Sequence, residues 1–325
     1  MPLPQVTDPS LRPFDSAQGR LNSGQDSSTL SAEHKCGFCA IVGRPNVGKS
    51  TLLNQLLGSK VAIVTPKPQT TRNRLTGIKT LPQAQLIFID TPGIHKPRSR
   101  MSQRMVQTAL RTLNETDLVL FLVDCQQGVQ AEDEEIAHTL LRVKAPTVVA
   151  LNKMDLVRKE TLLPLIEQCA VLLPDREIVP VSALSGENLS DLLDTLLSHL
   201  PPGPPLFPED EITEQTERFL AQEIIREKLF TLMHAEVPYA TAVVVEEFQE
   251  KPEKNLIVIR ARICVERSSQ KPIVIGERGA RLKEIGQRAR LELEALLGSR
   301  VFLELFVKVE KGWSKNSGFL TELGI

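Results

Sequence analysis

Aromatic residues are scarce: one tryptophan, one tyrosine and eleven phenylalanines make up 4% of the 325 residues. The hydrophobic cores therefore have to be aliphatic. No run of about 18 or more apolar residues occurs, which leaves no candidate membrane-spanning helix. The N-terminus also lacks the charged-then-apolar order of a secretory signal, so a cytoplasmic location is the expectation. Cysteine is sparse, and Cys36, Cys39, Cys125, Cys169 and Cys264 are scattered through segments that read as strands and helices. Cys36-x-x-Cys39 has metal-site spacing, but no second pair follows and Cys39 falls inside a strand pattern. All five read as reduced thiols. Neither sign of charge dominates, with 39 basic residues against 40 acidic ones.

What is present is the composition of a folded globular protein, 41% apolar and 24% charged. The length exceeds one ordinary core, which predicts two domains. Residues 1–35 are rich in Ser, Pro, Gln and Asp and carry no apolar period, so they read as a disordered leader. Over 36–200, short apolar strands alternate with helical segments. The strands are FCAIVG (38–43), QLIFID (85–90), DLVLFLVD (117–124), TVVALN (147–152) and EIVPVS (177–182), and the helices 49–57, 100–113, 130–143, 160–173 and 189–200. Strands apolar on both faces predict a doubly wound, mostly parallel α/β domain.

Pro201-Pro202-Gly203-Pro204-Pro205 breaks any helix and opens a stiff linker over 201–212. A small α+β domain is expected over 213–310, with a helix near 214–233, strands at 240–248, 255–265 and 301–309, and a helix ending at Leu297. Residues 311–325 read as a C-terminal tail. The net charge of −1 hides a segregation inside this second unit: residues 209–253 sum to −8 and residues 254–290 to +7. A basic face for a polyanion follows.

The loop Gly43-Arg44-Pro45-Asn46-Val47-Gly48-Lys49-Ser50-Thr51 matches G-x-x-x-x-G-K-[ST] between a strand and a helix. Its glycines let backbone N–H groups turn toward phosphate oxygens, Lys49 brings a charge to the β and γ phosphates, and Ser50 offers a hydroxyl to Mg²⁺. Asn152-Lys153-Met154-Asp155 ends the fourth strand, where a carboxylate accepts from guanine N1–H and N2–H₂, donors adenine lacks. Ser182-Ala183-Leu184 at the fifth strand end is expected to reach guanine O6 through a backbone N–H. Asp90-Thr91-Pro92-Gly93 follows QLIFID, with Asp90 toward Mg²⁺ and the Gly93 N–H toward the γ-phosphate. In Pro68-Gln69-Thr70-Thr71-Arg72, either Thr70 or Thr71 completes the Mg²⁺ shell, and the sequence leaves both open.

Five elements in this order, each at a strand end, predict GTP and GDP binding with Mg²⁺ and slow GTP hydrolysis. Ile94 stands where Ras-like switches place a water-orienting glutamine. The adjacent His95 reads as a solvated loop residue. Asn46 has the better claim, at the loop position where related GTPases bind K⁺ beside the phosphates. The catalytic candidates are therefore Asn46, Lys49, Thr70, Thr71 and Gly93.

In the second unit, VIGERGARLKEI (274–285) matches the V-I-G-x-x-G-x-x-[IL]-x-x-I pattern of a K-homology domain. Its turn lets a single-stranded backbone approach closely. Ile275, Gly276, Glu277, Arg278, Gly279, Arg281 and Lys283 are the candidate RNA contacts.

From about Gly37 onward the chain resembles the Era family of bacterial ribosome-assembly GTPases. The resemblance rests on GFCAIVGRPNVGKSTLLNQLLG, PQTTRNRLTGI, DTPGIH, NKMD and VSALSG, then on FPEDEITEQTERFLAQEIIREKL, AEVPY (235–239), VERSSQKPIVIGERGARLKEIG and LELFVKVEKGW (303–313). It implies a type II K-homology domain that binds the 3′ end of small-subunit ribosomal RNA during maturation of the small subunit. It also implies peripheral association with the inner face of the membrane. A monomer is the expected state.

Overall fold

A computed structural model describes residues 34–68, 70–93 and 99–325. Most of the expected leader, together with Gln69, Ile94 and His95, lies outside the described residues. Lys35, the last leader residue by sequence, already pairs with Ala84 and opens the first strand.

The first unit is a six-stranded sheet in the order β2-β3-β1-β4-β5-β6. Its strands are β1 (Lys35–Val42), β2 (Leu75–Leu81), β3 (Ala84–Asp90), β4 (Leu118–Asp124), β5 (Thr147–Asn152) and β6 (Ile178–Pro180). All neighbours run parallel except β2, which is antiparallel to β3. The helices are α1 (Lys49–Leu57), α2 (Arg100–Glu115), α3 (Ala131–Leu140), α4 (Leu162–Leu172) and α5 (Leu189–Ser198). One aliphatic core packs α1 and α5 against the sheet, and a second packs α3 and α4 on the other face. The inner strands β1, β3, β4 and β5 thus bury both faces, as their continuous apolar runs require, while the edge strands β2 and β6 are partly half-buried.

β2 is an addition to the sequence reading. LTGIKTL alternates weakly, and Gly77 breaks its pattern. The glycine has a packing cause: a Cβ there would stand 2.6 Å from Leu57 and 2.8 Å from Leu53 of α1. A side chain at 77 would lift the helix off the sheet.

The second unit has α6 (Glu217–Leu232), β7 (Thr241–Lys251), β8 (Leu256–Val265), α7 (Gln270–Ile275), α8 (Ala280–Leu297) and β9 (Arg300–Val309). β7 and β8 are antiparallel, β8 and β9 parallel, and α6 and α8 cover one face through Ala221, Ile225, Leu229, Ile285 and Leu293. Between the units, the proline-rich segment is not free. Pro202 bridges to Lys35, Gln85 Oε1 accepts from the Leu206 and Phe207 N–H groups, and Ile78 N–H donates to the Ile212 carbonyl.

The expected C-terminal tail is folded, which corrects the sequence reading. Helix α9 (Ser317–Glu322) is capped by Asn316, which accepts from the Gly318 and Phe319 N–H groups. With Trp313 it forms a cluster in which Phe319, Leu320 and Leu323 meet Ala242, Val244 and Cys264 of the second sheet and Met101 and Met105 of α2. A six-residue helix shows too little periodicity to be read alone, and its stability comes from this tertiary packing. Leu320→Ala, at a fully buried site, is expected to lower stability by about 2–5 kcal/mol in urea unfolding.

Candidate nucleotide and nucleic-acid sites

β1 hands the chain to α1 through the phosphate loop. Gly48 takes φ 101°, and a Cβ there would fall 2.2 Å from Asn152 Nδ2, so only glycine admits the loop's closeness to β5. The N-terminus of α1 has no side-chain cap and no acidic residue in its first turn. Its unpaired N–H groups and positive dipole end are thus left for an anion. They open on a cleft of about 490 Å³ lined by Pro45, Asn46, Gly48, Lys49, Ser50, Thr51 and residues of the 63–71 segment. Lys49 Nζ donates to the Gly43 and Arg44 carbonyls at 2.9 and 3.0 Å. Burial pushes its pKa down to about 8, against the pull of Asp90 and Asp133 toward the charged form.

Three oxygens meet below the cleft. Ser50 Oγ donates to Asp90 Oδ2 at 2.7 Å, Thr71 Oγ1 donates to the same oxygen at 3.2 Å, and the two hydroxyls lie 3.0 Å apart. Asp90 is fully buried, which raises its pKa, and among the described residues its Oδ1 has no hydrogen-bond partner. An orphaned buried carboxylate oxygen beside two hydroxyls is the hard, oxygen-only donor set that suits Mg²⁺. Thr70 Oγ1 is turned elsewhere, to Thr65 Oγ1 and the Lys67 carbonyl. The Thr91 hydroxyl donates to the Ile41 carbonyl, fixing the end of β3 to β1. Pro92 and Gly93 are buried, and a Cβ on Gly93 would come within 3.1 Å of Pro45.

At the base end, Asn152 ties three segments together. Its Nδ2 donates to the Val47 carbonyl at 2.7 Å, and its Oδ1 accepts from Ala183 N–H at 2.9 Å. Lys153, at φ 66°, donates to the Asn46 carbonyl and to Asp124 Oδ2 at 2.9 and 2.6 Å. The Met154 N–H donates to the Val181 carbonyl, Ser182 Oγ accepts from Ser185 N–H, and Asp155 and Leu184 are exposed at the rim. Arg44 does not point into the cleft. Its guanidinium donates to Asp133 Oδ2 at 2.8 Å and Gln127 Oε1 at 2.6 Å, which braces the loop against α3. Asp124 and Asp133 are thus positioning residues missed in the sequence. Only their places, at the end of β4 and in the first turn of α3, signalled them.

In the second unit, the GERG turn joins α7 to α8. Arg278 has φ 48°, Gly276 φ 75° and Gly279 φ 78°, and a Cβ on Gly276 would strike Arg281 at 2.6 Å. Glu277, Arg278 and Lys283 are exposed, Ile275 packs on the core edge, and Arg281 donates to the Ile273 carbonyl. Beside the turn runs a groove of about 480 Å³ between α8 and β9, lined by Gly279, Leu282, Lys283, Gln287, Arg290 and Leu303. Gln287, Arg290 and Leu303 were not among the sequence candidates. Helical spacing from Lys283 brings the first two onto its face of α8.

The two sites are joined by the 60–73 segment. Lys60 bridges Glu227 of α6 and Glu292 of α8, and Glu227 also accepts from Val64 N–H at 2.9 Å. Lys67 donates to the Phe230 and Met233 carbonyls. Arg226 donates to the Thr70 carbonyl at 2.6 Å, Arg72 to the Thr241 carbonyl at 2.9 Å, and Asn73 to the Leu323 carbonyl at 2.8 Å.

Comparison with known proteins agrees with both halves. A family model described as a 50S ribosome-binding GTPase matches residues 38–153, and a KH domain model matches 236–314. GTPase Era of Geotalea daltonii is 52% identical over 288 residues, covering 89% of this chain and 97% of the relative. GTPase Era of Syntrophus aciditrophicus is 50% identical over 300 residues, covering 92% and 98%. Among solved structures, a variant of Aquifex aeolicus Era bound to GDP·AlF4⁻ superposes with a TM-score of 0.86 at 47% identity, covering 89% of this chain and 99% of that one. Era in complex with MgGDPNP and nucleotides 1506–1542 of 16S ribosomal RNA also gives 0.86, at 46% identity and 90% and 99% coverage. With a doubly wound P-loop domain, a K-homology domain and half its residues shared with these relatives over nearly their whole length, the chain belongs to the Era family of GTPases.

Proposed function

We propose that this GTPase is a nucleotide-driven switch that grips the 3′ end of small-subunit ribosomal RNA in the groove between α8 and β9 and assists maturation of the small subunit. The observation that carries this reading is a pair of adjacent residues: Thr71 reaches Asp90 in the phosphate site while Arg72 is locked into the second unit. The related Era complex with MgGDPNP and 16S ribosomal RNA supports both ligands.

In this reading, Asp155 accepts from guanine, with Asn152 and Ala183 holding the base end in shape. Lys49, the Gly93 N–H and the α1 N-terminus bind the phosphates, so that charge developing on the γ-phosphate meets donors already in place. Ser50, Thr71 and Asp90 would hold Mg²⁺, which supplies neutralisation of the phosphate oxygens. Of the two threonines left open by sequence, the hydrogen bonds favour Thr71. Asn46, at the cleft mouth, is the residue assigned to K⁺. Arg278, Arg281 and Lys283 meet RNA phosphates, and the apolar groove receives bases. The protein acts in the cytoplasm as a monomer, and peripheral contact with the membrane's inner face would draw on the same basic residues of α8. Among the described residues no helix is long and apolar enough to cross a membrane.

Crosslinking and sequencing of RNA bound to the purified protein should recover the 3′ end of small-subunit ribosomal RNA, and recovery of unrelated RNA in equal yield would defeat the assignment. GTP turnover should be several-fold faster in K⁺ than in Na⁺ at equal ionic strength; equal rates would remove Asn46 from catalysis.

The depressed Lys49 pKa gives a pH dependence whose sign is fixed. Below pH about 8 the ammonium is charged in both free and nucleotide-bound protein, so GDP affinity is flat. Above it, bound phosphate keeps the proton that the free protein loses, and affinity falls by up to about tenfold per pH unit. Titrations from pH 7 to 9, with calorimetry in buffers of different ionisation enthalpy, should show proton uptake growing above pH 8.

A further inference from the structure

Thr71 sits between two anchors that both tie it to the second unit. On its N-terminal side, Arg226 NH2 donates to the Thr70 carbonyl at 2.6 Å, which fixes the peptide plane linking Thr70 to Thr71. Arg226 is itself held by Glu223, to which Nε and NH2 donate at 2.8 and 2.5 Å. On the C-terminal side, Arg72 donates to the Thr241 and Pro238 carbonyls at 2.9 and 3.3 Å. The two guanidinium groups lie over the Phe230 ring, 5.2 and 5.3 Å from its centroid, and Arg72 also lies 5.9 Å from the Trp313 centroid. Arg72 is 5% exposed and Arg226 3%. Among the described residues Arg72 Nε and Arg226 NH1 have no hydrogen-bond partner, so these desolvated cations depend on the carbonyl, Glu223 and ring contacts they do make. The anchors therefore resist displacement, and the hydroxyl between them is delivered to Ser50 and Asp90.

We propose that Arg226 is a positioning residue for GTP hydrolysis: the RNA-binding unit, through Arg226 on the Thr70 carbonyl, presents the Thr71 hydroxyl to the Mg²⁺ corner. The inference rests on the reading of Thr71 as a Mg²⁺ ligand given above. Arg226 touches neither nucleotide nor metal and acts through the backbone of its neighbour. In switches of this kind the γ-phosphate and its metal order the segment, and GDP releases it. The contribution of Arg226 is therefore confined to the GTP-bound state.

The test is made in the full chain. Arg226→Met combined with Glu223→Gln removes the clamp without leaving a buried unpaired carboxylate, and Arg226→Lys keeps a donor within reach of the Thr70 carbonyl. GDP affinity, affinity for a non-hydrolysable GTP analogue and the Mg²⁺ concentration for half-maximal hydrolysis are measured for each, with and without Thr71→Ala. The double variant should bind GDP within about twofold of wild type, bind the analogue about tenfold more weakly and need about tenfold more Mg²⁺. Arg226→Lys should recover part of the loss, and in the Thr71→Ala background the double variant should add nothing. Equal losses for GDP and analogue, or the same extra loss without the Thr71 hydroxyl, would overturn the proposal and leave Arg226 a plain brace. A silent Thr71→Ala would instead defeat the Mg²⁺ reading itself, whereas a costly Thr71→Ala with a silent double variant would defeat only the role of Arg226.

Discussion

Arg72 is a buried cation whose main hydrogen bonds run to backbone carbonyls of the second unit, and the residue before it faces the phosphate site. That single register, one residue in the nucleotide site and the next in the other domain, ties the two halves together. The surrounding contacts reinforce it. Lys60, Glu227, Glu292 and Lys228 form a charge network across the seam, and Trp313 covers the Arg72 guanidinium while packing in the cluster that also holds α2. Of that network only Glu227 is buried; a buried charge contributes little net stability against an apolar alternative, but losing its partners is costly, so the network favours one arrangement of the units over others.

The nucleotide half follows from local rules. Gly48 has no Cβ, so the loop can lie against Asn152, and Asn152 in turn joins loop, β5 and the 182–184 turn. The uncapped α1 N-terminus and the desolvated Lys49 are both incomplete without an anion, and Asp90, with an oxygen unpaired among the described residues, is incomplete without a cation. These deficits are tolerated because a ligand offsets them. The groove of the second unit is built differently, from exposed basic side chains on α8 facing aliphatic residues of β9. In the proposed function the charge there attracts a polyanion and the apolar wall accepts bases.

Much of this was legible in the sequence, because phosphate loops, base-reading turns and the GERG turn are short motifs with fixed spacing. Strands buried on both faces were equally plain. β2 was not, since Gly77 answers to Leu53 and Leu57, which lie two dozen or fewer residues away in another element. Arg44 read as a phosphate residue by its place in the loop, yet its side chain serves Asp133. The choice between Thr70 and Thr71 needed the path of the backbone, and the tail over 311–325 needed partners from α2 and β7 before it had any reason to fold. The seam residues Arg226 and Glu227 lie in a segment whose family likeness was evident, while their role was not: charged residues on a helix are usually solvated, and only burial distinguishes these.

If the 60–73 segment couples the sites, the free energy must be reciprocal, each ligand changing the other's affinity by one factor. The direct measurement is the affinity of the full chain for the 3′ terminal segment of small-subunit ribosomal RNA with GDP bound and with a non-hydrolysable GTP analogue bound. The account predicts several-fold tighter RNA binding in one of the two states, matched by the same ratio in analogue affinity with and without RNA. Identical RNA affinities in both states would contradict it.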